Sequence, residues 1–147
     1  MSLPAHLLFL IPALPLLAAA LTAFLPQHVR TFASTLAISA LAASFLLSCG
    51  ALVTALRDPS AHLTYNFDWF ALGHSAVRLG FLLDPLTALM CVMVTFVGTL
   101  IFVFSTGYLH DDPNYPRFFC FLSLFAAAML GILVANSLLL LFICWEL

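Results

Sequence analysis

The sequence predicts an all-α integral membrane protein of about five transmembrane helices, the fifth truncated, with an extramembrane β-hairpin between helices 2 and 3. Three observations predict it. Apolar residues make up 65% of the 147-residue chain and charged residues 7%, against about a quarter charged in a soluble domain, so a water-facing surface cannot be assembled. Apolar runs recur at the ~20-residue length that a helix needs to cross ~30 Å of hydrocarbon. Between the second and third runs alone, the apolar period changes to two, the period of a strand with one covered face.

The first expected span is Leu3–Leu25. It has no Lys or Arg before Leu7, so it lacks the basic start of a signal peptide and is expected to be retained. Pro12 and Pro15 lie within it; prolines are tolerated there when neighbouring helices satisfy the freed carbonyls. The second span, Thr31–Leu56, is rich in small residues. Ala40, Ser44 and Ser48 recur every four positions, which predicts one face of close helix–helix approach. Asp58-Pro59-Ser60 then breaks the helix.

Leu63, Tyr65, Phe67 and Trp69 alternate with Thr64, Asn66 and Asp68, and Val77, Leu79 and Phe81 alternate with Ala76, Arg78 and Gly80. With the turn Gly73-His74-Ser75 between them, these predict a hairpin on the membrane surface, Asp68 and Arg78 facing across it. Asp84-Pro85 predicts a helix start: the carboxylate accepts from free N–H groups, and proline has no N–H to leave unpaired. The third span is then Pro85–Leu109 and the fourth Tyr115–Val134. Ala135-Asn136-Ser137 is a tight break before a fifth apolar helix, Ser137–Leu147. Tyr65, Trp69, Tyr108 and Tyr115 fall at expected interfaces, where amphipathic rings are favoured. Arg30 and Arg117 lie on one side of this arrangement and Arg57 and Arg78 on the other, so arginine count leaves orientation open.

Several functions are excluded by what the residues lack. A net charge of −2 leaves no basic footprint for nucleic acid. Four cysteines, Cys49, Cys91, Cys120 and Cys144, sit in apolar runs without a CxxC, and His6, His28, His62, His74 and His110 are scattered. No metal site, redox cofactor motif or catalytic residue is expected. The lipid bilayer is the expected surrounding.

Glu146 is the one acid inside an apolar run. Nine helical residues after Ser137 place it roughly 14 Å deep, near the bilayer midplane. A carboxylate there costs about 3 kcal/mol or more, and such groups mark ion or proton routes. Glu146 is therefore the main candidate for proton translocation. Asp84 is a second candidate, although its helix-capping role already accounts for it.

These residues resemble a known family. Phe81-Leu82-Leu83-Asp84-Pro85-Leu86-Thr87-Ala88-Leu89-Met90 looks like the "LDxLS/T–M" start of the third helix in the large antiporter-like subunits of respiratory complex I. Phe104-Ser105-Thr106-Gly107-Tyr108-Leu109 is similar to their "YSxxYM". Arg117-Phe118-Phe119-Cys120-Phe121-Leu122-Ser123-Leu124-Phe125 resembles "RFFAYLxLF", and Asn136–Leu147 resembles "DNLLLLFxGWEG". The nearest pattern is the chain 5 (subunit L) type of NADH:quinone oxidoreductase. Subunits of multi-subunit cation/proton antiporters share it and tend to read "WEL", as Trp145-Glu146-Leu147 does here.

The resemblance implies that Glu146 is the family's membrane glutamate, acting opposite a lysine on a later helix to drive proton translocation. It implies an external N-terminus and hairpin, residence in the cell inner membrane, and other membrane subunits of a respiratory complex as partners. As a full-length subunit the protein would belong to a quinone-reducing translocase without performing redox catalysis itself. The implied organisation is residues 1–57 as two transmembrane helices, 58–80 as the external loop with the hairpin, 81–134 as helices 3 and 4, and 135–147 as the start of the antiporter-like domain. Family members are several times longer, and no lysine is present here, so the chain is expected to be an N-terminal fragment.

Overall fold

A computed structural model of the protein describes residues 7–26, 29–57, 63–72, 75–109 and 112–147. In chain order these form α1 (Leu10–Ala23), α2 (Arg30–Arg57), β1 (Leu63–Leu72), β2 (Ser75–Leu83), α3 (Pro85–Tyr108), α4 (Tyr115–Val134) and α5 (Leu138–Glu146). The expected Asp58-Pro59-Ser60 break and the Gly73-His74 part of the hairpin turn lie outside the described residues. Helices α2, α3 and α4 are each long and apolar enough to cross a membrane.

Helix α1 is shorter than the expected Leu3–Leu25, whose first four positions lie outside the described residues. A start at Leu10 puts Pro12 in the first turn, where a missing N–H costs nothing. The chain leaves the helix two residues before Pro26, in keeping with proline's aversion to a helical predecessor. Pro15 lies inside the helix and cannot donate to the carbonyl of Ile11. The Ser44 hydroxyl of α2 donates to that carbonyl instead, at 2.9 Å.

Helix α2 packs between α1 and α3. Its buried stripe is Ala37, Leu41, Ser44, Ser48, Ala51 and Ala55. Ala40, expected on this face with Ser44 and Ser48, is only half-buried. Steps of four residues drift about 40° around a helix, so a straight contact line must alternate steps of four and three. Leu41 fits against Gly98 of α3, where an added Cβ would lie 3.0 Å from its Cδ2.

The principal core cluster draws on α1, α2, β2, α3 and α4, with Phe102 edge-on to Phe119 at 6.1 Å between ring centres. Tyr115, expected at a membrane interface, opens α4 and is buried against Phe119 at 4.9 Å. Its side chain falls on the same face as Phe119, four residues on.

The hairpin is antiparallel, with Leu63 opposite Leu83 and Asp68 opposite Arg78. A register shift between Asp68 and Phe70 interrupts the alternation, as a bulge does. The apolar face of β1 was expected to be covered, but Tyr65, Phe67 and Trp69 are exposed. Among the described side chains of β2, Leu79 and Leu83 are buried. The reason is connectivity: β2 runs through Asp84 directly into α3 and lies against the bundle, while β1 is the outer strand of the ribbon.

Candidate membrane carboxylate and family membership

Asp84 has extended backbone, and its carboxylate accepts from the Thr87 N–H at 2.6 Å, ahead of Pro85 at the first helical position. This is the expected cap, at the hairpin end of the bundle. Ser137 does the same for α5, its hydroxyl accepting from the Leu140 N–H at 3.2 Å. Asp84 and Ser137 thus sit at the same end, and α5 runs away from it. Glu146, nine residues beyond Ser137, is separated from that end by roughly 14 Å of helix. The two candidate acids are therefore not brought together into one site.

Helix α5 has no fully buried residue. Its inward side is Leu140, Cys144 and Leu147, which line an apolar cleft of about 220 Å³ with Pro12 and Leu16 of α1 and Gly131 of α4. Cys144 presses on Gly131, where a Cβ would meet its Sγ at 2.6 Å. Two residues further on, Glu146 is turned about 200° around the helix. Its side chain is exposed on the outer face of the five-helix unit, with no hydrogen-bond or ion-pair partner among the described residues. Trp145 beside it is also exposed.

The start of α5 is held by groups whose role was not legible beforehand. Phe81 and Ala135 form an isolated antiparallel bridge, and the Asn136 N–H donates to the Gly80 carbonyl at 2.9 Å. The Asn136 side-chain amide donates to Asn66 Oδ1, also at 2.9 Å. Asn66 sits opposite Gly80 in the register, and a Cβ at residue 80 would overlap Asn66 Oδ1. The only prior signal was that Asn136 interrupts an otherwise apolar run.

Among the described residues, no group of three His, Cys, Asp or Glu could hold a metal ion. All five histidines lie outside the described residues.

The comparisons with known proteins agree with one another. Residues 69–119 match the family model described as NADH-ubiquinone oxidoreductase (complex I), chain 5 N-terminus. The NAD(P)H-quinone oxidoreductase chain 5 of Picosynechococcus sp. is 34% identical over 146 residues, covering 95% of this chain and 22% of that protein. The F(420)H(2) dehydrogenase subunit L of Methanosarcina mazei is 37% identical over 139 residues, covering 95% of this chain and 20% of that protein. A chloroplastic NAD(P)H-quinone oxidoreductase subunit 5 from Anthoceros angustus is 42% identical over 83 residues, covering 56% of this chain and 11% of that protein. The chain spans about a fifth of the length of the first two relatives. In sequence it belongs to the complex I chain 5 (subunit L) family of antiporter-like membrane subunits, matching their N-terminal part.

Proposed function

We propose that this chain forms the opening helices of a proton-translocating, chain 5-type subunit of a quinone-reducing respiratory complex in the cell inner membrane, with Glu146 as its membrane carboxylate. The observation that carries the reading is the direction of Glu146. An acid that ends an apolar helix far from the hairpin side, turned outward with no partner among the described residues, is unfavourable in lipid unless something meets it. Such a carboxylate has two ways to be stable. It can be neutral, or it can be charged opposite a cation. A group held between these states takes up a proton when the cation withdraws and releases it when the cation returns. The cation would come from a segment packed against the outer face of α5; this chain itself contains no lysine. The family resemblance further implies that residues 135–147 begin the translocating unit and that the hairpin lies on the external side.

The redox chemistry belongs to other subunits. The relatives' names carry different electron donors, NAD(P)H and F(420)H(2), while both share this region with the chain. A donor-independent part of the machine fits proton movement. Asp84 keeps its structural role as the cap of α3.

The test is Glu146→Gln in the full-length subunit within its assembled complex. Proton translocation per electron pair should fall at least severalfold, while the glutamine retains volume and polarity. Unchanged translocation would remove Glu146 from the mechanism. A second reading, a cation/proton antiporter subunit, is favoured by one feature, Leu147 directly after Trp145-Glu146. It predicts proton uptake driven by an imposed sodium gradient without any electron donor; the complex I reading predicts none.

A further inference from the structure

We propose that Asn66, Gly80 and Asn136 are positioning residues for Glu146: they clamp the start of α5 to the hairpin and so fix the direction in which the carboxylate faces. The inference rests on the assignment of Glu146 just made, and it adds the hairpin to the apparatus that serves it.

The residues that begin α5 are tied to the hairpin, while none of those that follow is fully buried. Along its length the helix packs on α4, with Cys144 seated on Gly131. The other restraint is at its start, where two hydrogen bonds converge on Asn136. Its N–H reaches the Gly80 carbonyl, the bond that pairs Ala135 with Phe81, and its side-chain amide reaches Asn66. The backbone bond fixes the height of the turn. The side-chain bond, set off to one side of it, fixes its rotation. With roughly 14 Å of helix between clamp and carboxylate, a 10° tilt moves the carboxylate by about 2 Å. Displacements of that size change proton transfer and charge pairing substantially.

Gly80 completes the arrangement. It lies directly opposite Asn66 in the ladder, and the Asn66 amide folds over it into the space a side chain would take. Any Cβ at residue 80 would push Asn66 Oδ1 off its seat and away from Asn136. Gly80 therefore acts through Asn66, which makes a distinct prediction for the double variant.

The experiment uses the full-length subunit in its complex and reads Glu146 in two ways. One is the rate at which dicyclohexylcarbodiimide, which attacks protonated carboxyls in apolar surroundings, modifies Glu146, followed by peptide mass. The other is the pH profile of proton translocation. Asn66→Ala and Gly80→Ala should each change the labelling rate by about fivefold, the population change expected when one net hydrogen bond is lost, and should shift the pH profile. The double variant should match either single variant. Asn66→Asp, which keeps an acceptor oxygen for Asn136, should restore both readouts. Should Asn66→Ala fail to assemble, Asn66→Ser carries the same test. Unchanged labelling in the single variants, additive effects in the double variant, or an Asp variant no better than Ala would each overturn the clamp. Glu146→Gln with normal translocation would overturn the assignment of Glu146 instead, and the labelling data would still decide whether the clamp positions that side chain.

Discussion

Pro15 leaves the Ile11 carbonyl without its helical donor, and Ser44 from the neighbouring helix supplies one. In a membrane interior, where water cannot substitute, an orphaned carbonyl is expensive. The Ser44 hydroxyl is fully buried, so this bond has no solvent competitor. Ser44→Ala should destabilise the α1–α2 pair by about 1–2 kcal/mol, seen as a lower unfolding midpoint in detergent. Pro15→Ala restores an N–H at residue 15 that can reach Ile11, so Ser44→Ala should cost much less in that background. Equal cost in both backgrounds would break the link between the two residues. This interaction was only half legible beforehand. The prolines announced freed carbonyls and the serines announced a helix contact, but nothing in the chain order says that residue 44 meets residue 11. That pairing depends on how α1 and α2 cross, which is set by side-chain fit over the whole interface. The same limit hid Asn66 and Asn136, seventy residues apart and joined by one hydrogen bond.

At the scale of elements, the helix ends were the most legible features because their causes are local. Asp84 ahead of Pro85 and Ser137 ahead of the Leu run each satisfy a free N–H three residues on. Asp84→Ala should destabilise α3 by about 1 kcal/mol, while Asp84→Asn, still a good capping residue, should recover most of it. The measurement is thermal unfolding of the reconstituted chain, and an Asn variant as unstable as Ala would mean that Asp84 contributes chiefly through its charge. Strands were legible in position and less so in burial. The alternation of Tyr65, Phe67 and Trp69 located β1, yet the face it predicted as covered is open in this chain. Periodicity reports which side chains share a face and is silent about what lies against it. Tyr115 shows the same limit: its place at the end of a span was legible, but that its ring packs inward on Phe119 was not.

Across the whole molecule the helices alternate in direction, which sorts its polar groups into two ends. Arg30, Thr31, Thr106 and Tyr115 line one cavity, and Thr22, Pro26, Pro116 and Arg117 line another, both at the end where α1 and α3 finish and α2 and α4 begin. Arg57, the hairpin with Arg78, Asp84 and the start of α5 lie at the opposite end. The split of two arginines to each end, which left orientation undecided from sequence, persists in three dimensions. The hairpin adds what charge counting lacks: a folded ribbon fixed to the α4–α5 turn by one backbone and one side-chain hydrogen bond of Asn136, so its side of the membrane dictates the side from which α5 descends. Single cysteines at Tyr65 on β1 and at Tyr108 at the end of α3, both exposed, test this in a background where the four native cysteines are replaced. A membrane-impermeant maleimide applied to sealed vesicles of one orientation should label one of the two positions, and inverted vesicles should reverse the result. Labelling of Tyr65→Cys from outside the cell places the start of α5 on that face and has Glu146 approached by descent from it. Labelling of both positions from one side would mean that α3 does not cross the bilayer, and the depth assigned to Glu146 would fall with it.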